Sequence, residues 1–155
     1  MGGGTFSYCK KLTRVNIGNG VTGIDSTKGL WSSGAFQECT SLASVTISNS
    51  VTEIGWGAFK GCTSLTSVTI PNSVTIIGYS AFSKTGLREV TIPNNVISIE
   101  DYAFEDCTSL TRVTFQGIPW IYTNTSFPGD LGNKYISGGR GRYTRSYGSN
   151  TWWKQ

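Results

Sequence analysis

Apolar and polar positions alternate along this chain inside a block that is written five times. The blocks open LTRVNIGNGVTGI at Leu12, LASVTISNSVTEI at Leu42, LTSVTIPNSVTII at Leu65, LREVTIPNNVISI at Leu87 and LTRVTFQGIPWIY at Leu110. With each leading Leu as position 0, positions 0, 3 and 5 are apolar throughout, as Leu65, Val68 and Ile70 show. That alternation predicts a short strand with one inward face, so positions 2 and 4 point outward. Asn recurs at position 7 (Asn19, Asn49, Asn72, Asn94), twice after Pro, and ends the strand at a bend. A second apolar beat falls at positions 9 and 12, as in Val51 and Ile54 or Val74 and Ile77. The block closes on Ala-Phe (Ala58-Phe59, Ala81-Phe82, Ala103-Phe104) and a Cys-Thr-Ser step. This stretch is too short for a full helix and is expected to form a helical turn that docks Phe inward.

The leading leucines lie 30, 23, 22 and 23 residues apart. A period near 23 makes each block one turn of a solenoid, too small to bury its apolar face alone and stable only when stacked. Identical strands recurring once per turn stack as a parallel sheet. The long interval holds an insertion (DSTKGLWSSG) carrying Leu30 and Trp31, and the copy near Lys84 is one residue short. Phe6 and Cys9 precede Leu12 as Phe36 and Cys39 precede Leu42, so the chain is expected to open inside a preceding coil. The expected organisation is a repeat solenoid over residues 1–115 and a capping segment over 116–155.

Charge changes the picture. Residues 1–115 hold eight basic and eight acidic side chains, whereas 116–155 hold five basic residues against Asp130 alone, so the net +4 belongs to the tail. The N-terminal MGGGTFSYCK has no signal-peptide apolar stretch, and no run is long enough to span a membrane.

Candidate chemistry is thin. Cys9, Cys39, Cys62 and Cys107 share one register, three residues before a leading Leu, and are expected to form a ladder of small buried thiols. Metal binding is not expected, because there is no CxxC and no His in the chain. The absence of His also speaks against general-base catalysis at neutral pH. The acids are scattered, and the cluster Asp101, Glu105 and Asp106 is expected to be solvated surface. No enzyme activity and no cofactor are expected.

The pattern LxxVTIPNSVTxIGxxAFxGCTS, carried by residues 6 to about 118, resembles the BspA-like leucine-rich repeats associated with treponemal and Bacteroidetes surface proteins. The tail resembles C-terminal segments of treponemal members. The resemblance implies a curved, right-handed leucine-rich repeat solenoid of about five short parallel strands, secreted or at the cell surface. It also implies adhesion or protein–protein contact, and brings no catalytic motif.

Where the outward row departs from Ser/Thr, at Arg14, Asn16, Glu89 and Arg112, a partner is expected to be read, with Glu89 and Arg112 as adjacent rungs able to pair. Trp31 in the insertion and Arg140, Arg142, Tyr143, Arg145, Trp152 and Trp153 in the tail complete the candidates. The tail is expected chiefly to cap the solenoid's open end, with a helix over 128–137 turning Leu131, Tyr135 and Ile136 inward and a hairpin pairing 142–145 with 151–154. Trp120 and Phe127 are expected to bury near Phe104 and Phe115, while Arg140, Arg142 and Arg145 stay in water. The expected partner is a protein, host or cell-surface. The alternative is a glycan or nucleic acid bound by the basic, aromatic tail. The uncovered strand edge at Leu12, Val15 and Ile17 is expected to favour self-association.

Overall fold

The computed structural model describes residues 2, 4–24, 33–121 and 125–155. In chain order the elements are β1 (Arg14–Ile17), β2 (Gly23–Ile24), β3 (Ser44–Ile47), β4 (Glu53–Ile54), β5 (Ile76–Ile77) and β6 (Glu89–Ile92). They continue with β7 (Ser98–Ile99), β8 (Arg112–Phe115), β9 (Trp120–Ile121), α1 (Leu131–Gly138), β10 (Gly141–Thr144) and β11 (Trp153–Lys154). The first apolar beat gives β1, β3, β6 and β8, paired in parallel at the same register position, as in Glu89 opposite Arg112 and Thr91 opposite Thr114. In the third coil residues 67–70 leave strand geometry, so this layer divides into β1-β3 and β11-β10-β8-β6.

The second apolar beat builds a separate five-stranded sheet, in the order β2-β4-β5-β7-β9, parallel throughout. Sequence alternation did not reveal it, because a strand of two residues is shorter than the pattern needed to recognise one. Cross-coil hydrogen bonds such as Thr52 N to Thr22 O (2.7 Å) and Gly78 N to Ile54 O (2.7 Å) tie it together.

Between the sheets runs a column of stacked phenylalanines. Phe6, Phe36, Phe59, Phe82, Phe104 and Phe127 follow one another at centroid spacings of 5.4, 5.4, 5.4, 5.3 and 4.8 Å. The spacing is set by the coil-to-coil rise, close to the distance between neighbouring strands. A thiol column stands beside it. Cys39 donates to Phe6 O (3.0 Å), Cys62 to Phe36 O (3.2 Å) and Cys107 to Phe82 O (3.1 Å), each reaching the preceding coil. Cys9 is exposed, unlike the other three, and all four are free thiols. Burial pushes the Cys62 thiol up to about 12 and the Cys107 thiol up to about 11. In the copy that lacks Cys, Thr85 takes the place three residues after Phe and bonds Phe82 O (2.8 Å).

The Ala-Phe step is a turn rather than the expected helical turn. Two residues after each Phe the backbone is left-handed: Tyr8, Glu38, Gly61, Lys84, Asp106 and Gly129 all have φ between 55° and 74°. One left-handed residue stops helical propagation.

Phe127 lies 17 residues after Leu110, the spacing that separates Phe59, Phe82 and Phe104 from their own leucines. Ser126 O accepts from Phe104 N (2.8 Å) as Ala103 O accepts from Phe82 N (2.8 Å). The last coil therefore closes at Phe127, past residue 115. Beyond it, α1 and the β10–β11 hairpin form the cap. Leu131 and Tyr135 face inward, and Tyr135 lies 4.3 Å from Phe115. Ile136 is 68% exposed, contrary to the expectation, because it sits about 100° around the helix from Tyr135. Trp120 is likewise 70% exposed, because in two-residue β9 it is Ile121 that turns inward.

Candidate functional site

Strand alternation assembles a single polar face from the repeats and the cap together. On β6 and β8 the outward residues are Glu89, Thr91, Arg112 and Thr114. Cap strand β10 continues this sheet in antiparallel fashion, with Arg142 opposite Thr114 and Thr144 opposite Arg112, and β11 places Trp153 opposite Thr144. Two rows result: Glu89, Arg112, Thr144 and Trp153 in one, and Thr91, Thr114 and Arg142 in the other. Residues 67–70 flank the face on its other side. The surface encloses a groove of about 520 Å³ whose walls include Ser67, Asn72, Thr91, Arg112, Gln116 and Arg142.

Three charged residues line this groove. Arg112 Nη1 donates to Glu89 Oε2 in an ion pair with both side chains more than half exposed, so the pair contributes about 0–1 kcal/mol to stability. Arg142 makes no side-chain hydrogen bond or ion pair with any described residue. Its charge is therefore available to a partner.

The remaining candidates do not gather here. Arg14 and Asn16 are exposed on β1, opposite Ser44 and Thr46, on the separate two-stranded sheet. Arg140 is exposed outside the groove, and Trp31 lies outside the described residues. Tyr143, Arg145 and Trp152 are corrections: all three are buried inside the cap. Tyr143 faces inward, 5.8 Å edge-on from Phe115, and its hydroxyl donates to Gly139 O (2.5 Å). Trp152 donates its indole N–H to Pro128 O (2.8 Å), and its backbone N–H to Asp130 Oδ1 (2.8 Å).

Arg145 departs furthest from expectation. Its Nε donates to Leu110 O (2.6 Å), Nη2 to Cys107 O (3.1 Å) and Thr108 O (3.2 Å), and Nη1 to Ser149 O (2.8 Å). The guanidinium carbon lies 5.0 Å from the centre of the Trp152 ring. In an earlier coil Thr40 O, the counterpart of Thr108 O, accepts from Ser64 Oγ (2.7 Å) and Thr63 Oγ1 (3.3 Å) of the next coil. Arg145 thus supplies the donors that a further coil would bring. The signal was present in the sequence: period-2 alternation across 142–145 puts Tyr143 and Arg145 on the face opposite Arg142.

Three or more His, Cys, Asp or Glu side chains gathered to hold a metal are absent among the described residues.

The model of the BspA type leucine rich repeat region matches residues 31–127 in six copies. The chain belongs to that family. A leucine-rich repeat protein from Bacteroides ovatus ATCC 8483 is 34% identical over 72% of this chain, with a TM-score of 0.61. The match spans 27% of that longer protein. The T. pallidum leucine-rich repeat protein shares the fold at 23% identity, covering 85% of this chain and 72% of its own, with a TM-score of 0.60. No curated protein sequence matches the chain. The matching model describes a repeat region and names no reaction.

Proposed function

We propose that the chain is a non-enzymatic protein-binding or adhesion module that holds a partner polypeptide against the shared face of repeats and cap. One observation carries this: the cap adds two strands to the repeat sheet and sets Arg142, Thr144 and Trp153 beside Glu89 and Arg112. A cap serving only to cover the open end would have no need to prolong the exposed face. Cores of protein interfaces are enriched in Arg and Trp, the residue types that Arg142 and Trp153 bring to the cap end of this face. A setting outside the cell belongs to the same proposal, supported by the resemblance to surface repeat proteins. No described helix is long and apolar enough to cross a membrane.

The glycan or nucleic-acid alternative has less support, since Tyr143, Arg145 and Trp152, three of the tail residues it drew on, are enclosed, while Trp120, Tyr147 and Trp153 stay exposed. Self-association through β1 has one supporting observation: in its sheet β1 is bonded to β3 alone.

The test is capture of partners from host and bacterial surface extracts with the full chain and with Thr114→Trp, which obstructs the groove without changing its charge. Loss of a specific protein with the variant supports the proposal. Unchanged capture, together with an unchanged melt, refutes the face as the binding surface. Sedimentation at high concentration addresses self-association, and a strictly monomeric profile rejects it.

A further inference from the structure

We propose that the cap turns the groove into an acceptor for acidic polypeptide: Arg142, together with Arg112, receives carboxylates of a partner segment laid across the last three coils. This inference rests on the protein-binding role of the face and adds the chemistry of the partner.

Charge is the first ground. In the repeat part of the groove Glu89 and Arg112 cancel. The cap then contributes Arg142, so two guanidiniums stand against one carboxylate and the groove is cationic. Arg112 does not have to leave Glu89 to join in. A guanidinium carries five N–H donors in a planar fork, and Glu89 occupies Nη1. Carboxylates are the planar, bidentate partners that this fork fits.

The pattern of hydroxyl use is the second ground. At the bends of the solenoid several Thr and Ser hydroxyls bond carbonyls of the preceding coil: Thr52 to Thr22 O (3.1 Å), Thr75 to Thr52 O (3.1 Å), Ser73 to Val51 O (2.6 Å) and Thr111 to Arg88 O (3.3 Å). In the groove, Ser67, Thr69, Thr91 and Thr114 have no such bond to any described residue. A row of hydroxyls able both to donate and to accept, beside two cations, suits an extended chain with peptide groups and carboxylates. Nucleic acid fits less well. The lining offers two cations, one of them already paired, and no aromatic ring on which a base would stack.

The test selects random peptides displayed on phage against the full chain, then sorts the binders by their loss on Thr114→Trp, a neutral block of the groove. Groove binders are expected to be enriched in Asp and Glu. Replacing their acids by the amides, or Arg142 by Gln, should weaken binding about tenfold, as loss of a charge-assisted contact does. Raising salt should weaken the parent complex and hardly alter Arg142→Gln. Lys10→Gln removes an exposed cation outside the groove and should change nothing. Arg142 is exposed, so a melt matching the parent confirms that its variant is folded. Groove binders indifferent to acids and to Arg142→Gln would overturn this inference and leave the protein-binding role standing. Absence of any binder lost on Thr114→Trp would overturn both. A short oligo-dT bound more tightly than any selected peptide, and released by Arg142→Gln, would overturn the choice of a polypeptide.

Discussion

Replacing Arg145 by Ala tests whether the last coil is closed by a guanidinium standing in for a missing repeat. The side chain makes four hydrogen bonds to backbone carbonyls, and its head packs on Trp152. Hydrogen bonds involving a charged group contribute about 1.5–3 kcal/mol each, and carbonyls left unsatisfied cost about 1–3 kcal/mol. Against this stands the desolvation of the guanidinium, which amounts to several kcal/mol for a buried ion. Burial also lowers the Arg145 pKa below its ordinary value, the mark of that desolvation. The sum overstates the loss, because water enters the space left by truncation and meets some of the carbonyls. A net destabilisation of about 3 kcal/mol remains, within the range of severe single mutations. For a chain of this size that lowers the melting midpoint by about 6–12 °C. Arg142→Ala and Arg140→Ala, both exposed, should each cost under about 0.5 kcal/mol. Scanning calorimetry of the three variants, with Arg145→Lys as a partial replacement of the donors, gives the comparison. Arg145→Ala melting within about 2 °C of the parent, or no lower than Arg142→Ala, would refute the closing role.

Other outcomes follow from the columns inside the solenoid. Phe82→Ala should destabilise by about 3–5 kcal/mol, because the ring is fully buried between Phe59 and Phe104, while half-exposed Phe6 at the end of the column should cost clearly less; equal losses in chemical denaturation would reject the column as the core. Thiol labelling of the native protein should modify Cys9 alone, with Cys39, Cys62 and Cys107 reacting only on unfolding, and fast native labelling of Cys62 would contradict its burial. Cys62, Cys107 and Tyr135 are raised from 9.0, 9.0 and 10.0 to about 12, 11 and 12, so the unfolded chain releases these protons first. The stability they contribute is complete below pH 9 and lost between about 9 and 12, and a melting midpoint that stays level to pH 11 would refute the assignment. Lys84→Gly should stabilise by about 0.5–1 kcal/mol, since Lys84 is left-handed (φ 58°) and Gly relieves that strain at some cost in unfolded-state entropy; a lower midpoint would count against it.

The five-fold block with its period near 23 determined the solenoid, the inward residues and the outward rows, because stacking identical turns leaves one way to bury a repeated stripe. The Glu89–Arg112 pair was legible for the same reason: positions 23 residues apart become adjacent rungs. The cap was legible as a helix and a hairpin, with Leu131 and Tyr135 inward, but which side of the hairpin meets the core was not. Alternation puts Arg142 and Thr144 on one side of β10 and Tyr143 and Arg145 on the other, and only antiparallel pairing with β8 decides that the first side meets the groove and the second the core. Phe127 was expected beside Phe104 and Phe115 and lies there, but its place at the end of the phenylalanine column was not written as a motif. Its copy lacks the Ala before Phe, so its membership of the column rested on a spacing rather than a motif. The second sheet could not be foreseen from two-residue strands, whose hydrogen bonds exist only once coils are stacked. Local periodicity fixes what each turn of this chain buries. Contacts between turns and cap decide which of its polar residues remain free to meet a partner.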